Sequence, residues 1–378
     1  MPNKILFCAT VDTHFSAFHL PVLEWFKQRN WEVHVAAKGE GNLPFVDKKY
    51  NISFERSPIR LRNQLAYRQL KEIIQENGYR LIHCHTPMGG VITRLAARNV
   101  RKKGTKVLYT VHGFHFCKGA PLLNWMLYYP IEKQLSKVTD CLITINDEDY
   151  RLAVSRRFEA QTIAHVHGIG VNTSRFSPIP ADEKLRRRAE LRCRQDDFVM
   201  FYAAEFNKNK NHRLLLHAMA KIKDKAPKMK LLLAGRGALQ EECGKLVVKL
   251  GIDHMVDFLG YRNDIDKVLP LCDAAVSSSL REGLPVNIME AMACGLPVIA
   301  TRNRGHVELV AEDANGYIVN PLDSEQFADR IYRLYSSSEL SRKMGAASLS
   351  YVQKYSSQQV ERELSDIYSK YMTEEAYG

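Results

Sequence analysis

Short β-branched or apolar runs alternate with helix-period segments along the whole chain. In the first half, residues 5–10, 32–37, 81–85, 106–112, 141–146 and 162–167 read as strands, with helices such as 65–76 and 90–102 fitting between them. A second series predicts strands at 198–204, 230–234, 256–260, 274–279 and 297–301, with helices near 211–225 and 239–250. From Asp323 onward the pattern is amphipathic, lacks proline and reads as helical. Alternation of this kind marks a parallel sheet covered by helices. The fold class expected is therefore α/β, with two doubly wound, Rossmann-like halves and a helical C-terminal tail. Residues 177–194, with Pro178, Pro180 and the run Arg186-Arg187-Arg188, read as the passage between the halves. Domains are placed at 1–178 and 179–355, with 356–378 as a helix that packs back on the first. Open parallel sheets bind ligands beyond the carboxyl ends of their strands, so two halves facing each other would hold their chemistry in a cleft.

Composition adds limits. The chain has 378 residues, 45% hydrophobic and 25% charged, which suits two globular domains and excludes disorder, collagen and coiled coil as main themes. Its longest apolar stretch, residues 122–131, is interrupted by Asn124, whereas a spanning helix needs about 20 apolar residues. The start, Met-Pro-Asn-Lys before Ile5-Leu6-Phe7, lacks the apolar core of a signal peptide, so a cytoplasmic location is expected. The eight cysteines contain no C-x-x-C pair and are expected to be buried, reduced thiols. Net charge is +12, and between Arg56 and Lys106 twelve basic residues face only Glu72 and Glu76. Such a stretch suits nucleic acid, anionic lipid or a phosphorylated substrate. Zinc-finger spacing and an aromatic RNP-type strand are missing, so lipid or phosphate is the expected partner and nucleic acid is not.

The most informative stretch is Arg281-Glu-Gly-Leu-Pro-Val-Asn-Ile-Met-Glu-Ala-Met-Ala-Cys-Gly-Leu-Pro-Val-Ile-Ala-Thr301. Glu282 falls in a strand-to-helix loop and Glu290 inside the helix that follows. Gly283 and Pro285 suit the tight turn, and exposed N–H groups at a helix start form an anion site. Carboxylates beside a phosphate cannot bind it, but they accept hydrogen bonds from sugar hydroxyls. The composite reads as a site for a nucleotide joined through phosphate to a sugar.

Glu282-x7-Glu290 with its tail Ala-Met-Ala-Cys-Gly-Leu-Pro-Val-Ile-Ala resembles the defining motif of the family 4 retaining glycosyltransferases of GT-B fold, nearest in character to bacterial exopolysaccharide and capsule (Eps-type) transferases. The resemblance extends to Gly168-Ile-Gly-Val-Asn-Thr-Ser-Arg-Phe-Ser-Pro178, Val256-Asp-Phe-Leu-Gly-Tyr261 and Leu271-Cys-Asp-Ala-Ala-Val-Ser-Ser-Ser279. It implies that Glu282 holds donor-sugar hydroxyls and Glu290 the ribose hydroxyls, while the backbone of Gly283, Leu284, Pro285, Val286 and Asn287 meets sugar and phosphates. In Ala203-Ala-Glu-Phe-Asn-Lys-Asn-Lys-Asn211 the family has Gly-Arg, then a Lys five residues past the Arg, as a diphosphate clamp. Lys210 fits the Lys position, but Glu205 stands where Arg is expected. A carboxylate close to a diphosphate is repulsive by several kcal/mol at low effective dielectric. Either Glu205 turns away, or Lys208 or Arg236 supplies the missing charge. Gly235-Arg236-Gly237 ends a strand as a candidate nucleotide-binding loop. Arg302-Asn-Arg-Gly-His306 reads equally as solvated loop or substrate contact.

In the first half, Tyr109-Thr-Val-His-Gly-Phe114 resembles the family's His-Gly element, which implies that His112 contacts the donor sugar or the reaction centre; a purely structural role is the alternative. His83 and His85 share a strand face, yet no nearby carboxylate completes a metal triad, and no metal site is expected. The loop Ala9-Thr-Val-Asp-Thr-His-Phe-Ser16 has no glycine. It therefore lacks a dinucleotide fingerprint, departs from the family's glycine-rich acceptor loop, and leaves Asp12 and His14 as acceptor-facing candidates. Residues 120–130 read either as a core helix or as a monotopic contact acting with the basic stretch.

The expectation is a retaining glycosyltransferase, with His112, Glu282 and Lys210 as catalytic candidates. It would move a sugar, with N-acetylhexosamine among the candidates, from a UDP-linked donor to a lipid-linked glycan in exopolysaccharide or capsule synthesis. It would act without metal or other cofactor, as a peripheral protein on the inner face of the cell membrane. A non-catalytic nucleotide-sugar-binding subunit and a GT-B sugar-nucleotide epimerase are the alternatives.

Overall fold

The computed structural model describes residues 3–55, 57 and 60–372; Arg56, at the start of the basic stretch, and the ends of the chain, including the last residues of the expected tail, lie outside them. The first sheet holds β1 (Lys4–Val11), β2 (Glu32–Lys38), β3 (Lys48–Asn51), β4 (Leu81–His85), β5 (Lys106–Val111), β6 (Cys141–Thr144) and β7 (Thr162–His165), in the order β3-β2-β1-β4-β5-β6-β7. The second holds β8 (Phe198–Ala203), β9 (Met229–Ala234), β10 (Val256–Gly260), β11 (Ala274–Ser277), β12 (Val298–Thr301) and β13 (Gly316–Val319), in the order β10-β9-β8-β11-β12-β13. Every pair is parallel, with Ile5 beside both Val33 and Leu81, and Ala275 beside Phe201 and Val298. Central strands are buried on both faces, so β1 reads as an apolar run from Ile5 to Ala9, while β4 buries His83 and His85 as well. In each sheet the strand order reverses once, between β1 and β4 and between β8 and β11. Ligand crevices of open α/β sheets lie at such points.

Helices Arg62–Asn77 and Pro87–Arg101 cover a core built on Leu6, Ile82 and Leu142, and helices His212–Ile222 and Ser324–Tyr335 cover one built on Met200, Leu231 and Ile299. The chain forms two compact units: residues up to Ile169 with those from Val360 onward, and Gly170–Gln359. The division thus falls at 169/170 rather than at 178/179. The segment read as a passage between halves is part of the second unit. Its Arg188 is buried, donating to Asp273 Oδ2 at 2.5 Å and to the carbonyls of Asp197 and Gln195 at 2.6 and 2.9 Å. The closing helix, Ser357–Met372, brings Tyr368 against His83 in the first unit, with the hydroxyl 2.6 Å from Nδ1.

The basic stretch is not one continuous face. Arg94 is fully buried, 2.8 Å from Glu132 and over the Tyr109 ring, and Arg101 pairs with Asp140 at 3.0 Å. Lys102, Lys103 and Lys106 join Lys4 and Arg80 around a concave surface at the amino ends of β1, β4 and β5. The stretch 120–130 lies largely in helix Leu122–Ser136, which has two unlike faces. Leu122, Leu123, Met126, Leu127 and Ile131 are all exposed, Leu122 to 75%, while Trp125 and Tyr129 pack inward against Phe116. Glu132 and Leu135 are buried, so one face of the helix belongs to the core while the other is exposed. All eight cysteines are buried thiols. Among the described residues no helix is long and apolar enough to cross a membrane.

Candidate functional site

The loops that leave β8 and β11 at the second sheet's reversal point are sewn together by their backbones. Ser278 Oγ and the Tyr202 hydroxyl donate to the Lys210 carbonyl at 2.8 and 3.1 Å. Leu280 N–H donates to the Asn209 carbonyl at 2.7 Å, and Asn209 Nδ2 to the Arg281 carbonyl at 3.0 Å. Asn211, at φ 49°, takes the left-handed turn that this residue type tolerates before helix His212–Ile222. On this frame Lys210 Nζ lies 2.5 Å from Glu282 Oε1, both side chains part-buried. Arg304 Nε donates to the Glu282 carbonyl at 3.1 Å, fixing the backbone that carries the carboxylate.

Pro285 leads into helix Val286–Ala293, whose start has no side-chain cap. Asn287 Nδ2 donates to the Ala203 carbonyl at 3.1 Å and ties this helix start to the end of β8. First-turn N–H groups without intrahelical acceptors are the donors an anion uses. Glu290 sits one turn further on. Burial pushes its carboxyl up to about 7, with Arg175 pulling it down and Asp266 pushing it further up. Arg175 and Asp266 form their own pair at 2.8 Å. Neither was singled out from sequence, although Arg175 lies within the Gly168–Pro178 match, because nothing local shows what the guanidinium will face.

Glu205 is exposed and its carboxylate accepts from Asn207 Nδ2 at 3.0 Å, within its own loop. Lys208 and Arg236 are exposed too, and neither makes an ion pair among the described residues. The loops after β8 and β9 touch closely enough to demand glycine. A Cβ at Gly235 (φ +145°) would lie 2.0 Å from the Ala204 carbonyl oxygen, and one at Gly237 2.5 Å from that of Phe206. Arg236 is thereby carried on the loop beside Glu205. The 302–306 alternatives resolve for His306, which is fully buried between Ser277 Oγ at 3.0 Å and the Thr301 carbonyl at 2.6 Å. It cross-links β11 and β12, and burial holds it near 4 and neutral.

In the first unit, Asp12 has a structural task instead of the acceptor-facing one expected. Its carboxylate is buried, 2.5 Å from Lys49 Nζ and 2.8 Å from Gly41 N–H. Burial alone would raise its pKa; those two hydrogen bonds outweigh it and lower the value. His14 and His112 meet His19 and His85 at the carboxyl ends of β1, β4 and β5. His83 belongs elsewhere, held by Tyr368 and by Thr110 Oγ1 at 2.8 Å. His112 is kept well below the ordinary histidine range by burial, with His14 and His83 adding to the shift.

The Glycosyl transferase 4-like model matches residues 4–146, and the Glycosyl transferases group 1 model matches residues 183–350. EpsD of Bacillus subtilis (strain 168), provisionally named a glycosyltransferase, is 50% identical over 372 residues, 98% of each chain. The Escherichia coli UDP-Gal:alpha-D-GlcNAc-diphosphoundecaprenol alpha-1,3-galactosyltransferase is 25% identical over 325 residues, 83% of each. Among solved structures, Anabaena Alr3699/HepE in complex with UDP shares the fold with a TM-score of 0.79 at 18% identity, over 98% of this chain and 100% of that one. Family matches on both sheets, and half-identity to EpsD along almost the whole chain, establish that this protein belongs to the group 1, family 4-like glycosyltransferases and is built from the two Rossmann-like domains of the GT-B fold.

Proposed function

We propose that this glycosyltransferase moves a sugar from a UDP-linked donor to a lipid-linked glycan, with retention at the anomeric carbon, in exopolysaccharide assembly. The observation that carries this reading is the Lys210–Glu282 pair, set at the sheet reversal point beside an uncapped helix start that also bears Glu290. Relatives support its direction: HepE was solved with UDP, and the E. coli relative is named for a UDP-galactose donor and a diphosphoundecaprenol-linked acceptor.

On donor arrival Lys210 exchanges part of its contact with Glu282 for the diphosphate, sharing the negative charge with the first N–H groups of Val286–Ala293. Glu282 is then left to accept from sugar hydroxyls and Glu290 from ribose hydroxyls. Arg236, carried beside Glu205, supplies the cation that Glu205 does not. As the bond from the anomeric carbon to the diphosphate oxygen breaks, the acceptor oxygen bonds to that carbon. The acceptor's proton passes to the departing oxygen, so the protein needs no separate base and no metal. His112, neutral, serves as a hydrogen-bonding partner for the sugar. The exposed apolar face of Leu122–Ser136, with the basic side chains of the first unit, suits peripheral contact with an anionic membrane carrying the acceptor.

The test is a thermal-shift panel of nucleotides and nucleotide sugars without divalent metal, followed by transfer to a lipid-diphosphate-linked acceptor. A ligand at about 100 times Kd adds about 2.7 kcal/mol to folding stability. A selective UDP-type shift followed by acceptor-dependent turnover is expected. Conversion of donor without acceptor would make the protein an epimerase, and binding with no turnover would make it a binding subunit.

A further inference from the structure

We infer that His14, His19, His85 and His112 form a binding site for one transition-metal ion of the zinc type. One nitrogen from each residue falls in a set whose members all lie within 4.8 Å of one another. The Nε2 atoms of His14 and His19 are 3.1 Å apart, and His85 Nδ1 is 3.3 Å from His112 Nε2. Tetrahedral zinc with Zn–N bonds of about 2.0–2.1 Å places its nitrogens about 3.3 Å apart. Two pairs are therefore already at the spacing of a bound ion, and the wider ones need closing only from at most 4.8 Å.

The second observation is an unpartnered atom. His85 is 1% exposed, and its Nε2 is buried without a hydrogen-bond partner. Buried polar atoms are almost always satisfied; an imidazole gives one nitrogen to an ion, so with the proton on this Nε2 it is Nδ1, facing His112, that offers its lone pair. His85 ends β4, His112 follows β5, and His14 and His19 lie in and just after helix Thr13–Phe18. Phe7 stacks on the His85 ring and Phe15 meets it edge-on.

Burial keeps all four imidazoles below the ordinary histidine range, His14 near 4, so their lone pairs carry no proton at neutral pH. His83 is excluded because Tyr368 and Thr110 occupy both its nitrogens. An all-nitrogen set has no oxygen for Mg²⁺ or Ca²⁺ and suits Zn²⁺, Co²⁺, Ni²⁺ or Cu²⁺. An ion here holds the His112 lone pair and so withdraws His112 from sugar binding; that consequence alone rests on the proposed transfer reaction.

The experiment titrates chelator-stripped full-length protein with Co²⁺, reading visible d–d absorption, then displaces it with Zn²⁺. One Co²⁺ per chain with a tetrahedral spectrum is expected, and Mg²⁺ should neither bind nor compete. Losing one ligand should weaken binding about 100-fold or more, since even outer-sphere changes cost about 10–100-fold. His19→Gln and the part-exposed His14→Gln are both made, each checked for folding by circular dichroism, with exposed His254→Gln as control. Absent Co²⁺ binding overturns the inference, as does a folded His14→Gln that binds like the parent or a His254→Gln that loses binding. None of these readouts involves transfer, so they stand apart from the test of the proposed reaction.

Discussion

At the residue scale, the second-unit site consists of charges whose partners are near but exchangeable. Lys210 and Glu282 neutralise each other at 2.5 Å. Lys210→Ala removes a donor that matters most when charge builds on the leaving diphosphate, and should lower kcat/KM by about 10²–10³. Glu282→Gln exchanges charged hydrogen bonds for neutral ones and should cost about 10–100-fold, from the roughly 1.5–3 kcal/mol such bonds are worth. Full activity in both variants would sink the proposed mechanism. Glu290 gives a pH signature. Its carboxyl is raised to about 7 in the fold, so the neutral form is favoured there. That stability is fully present below the usual carboxylate range and is lost as pH rises through about 7. Ribose hydroxyls prefer the carboxylate as acceptor, so donor binding should tighten over the same interval while the empty protein loses stability. Glu290→Gln should flatten both slopes, measured by calorimetry and thermal unfolding across pH. Glu282 and Glu290 were legible because their spacing fixes one in a loop and one on a helix. Arg175 and Asp266, which tune Glu290, were not, because they come from distant parts of the chain.

At the scale of elements, hydrophobic runs located the central strands to within a few residues. The strands missed were β3 and β13. The first, Lys-Lys-Tyr-Asn at a sheet edge, has only backbone pairing to reveal it, and the second is four residues long. The Pro87–Arg101 and Leu122–Ser136 helices are joined by a pair that composition misrepresents as surface charge. Glu132→Ala would leave the Arg94 guanidinium buried and uncompensated, and should cost about 3–5 kcal/mol in urea unfolding. Replacing both partners by apolar residues of similar volume should cost much less. The Gly235 turn is as strict: Gly235→Ala forces a side chain against the Ala204 carbonyl at a positive φ, a strain of about 1–3 kcal/mol from the backbone alone.

For the whole molecule, the exposed apolar residues of Leu122–Ser136 make a membrane prediction. The double variant Leu123→Asp with Met126→Asp should weaken sedimentation with vesicles rich in anionic lipid about ten-fold or more, because each buried apolar side chain contributes about 1.5–3 kcal/mol. Unchanged binding would remove the helix from the proposal. Sequence by itself determined the α/β class, the two-domain plan, the Glu282 and Glu290 positions and the departure at Glu205. Each of these is written in local periodicity or in a contiguous motif. Tertiary structure decided the strand order, and with it the reversal points at β1/β4 and β8/β11 where the candidate residues gather. It also moved the unit boundary, tied Asp12 to Lys49, buried Arg94 and turned the Leu122–Ser136 face outward. The four histidines gathered only there as well. They come from three separate segments of the chain, and crossovers in a parallel sheet bring strand ends together without leaving any period in the sequence.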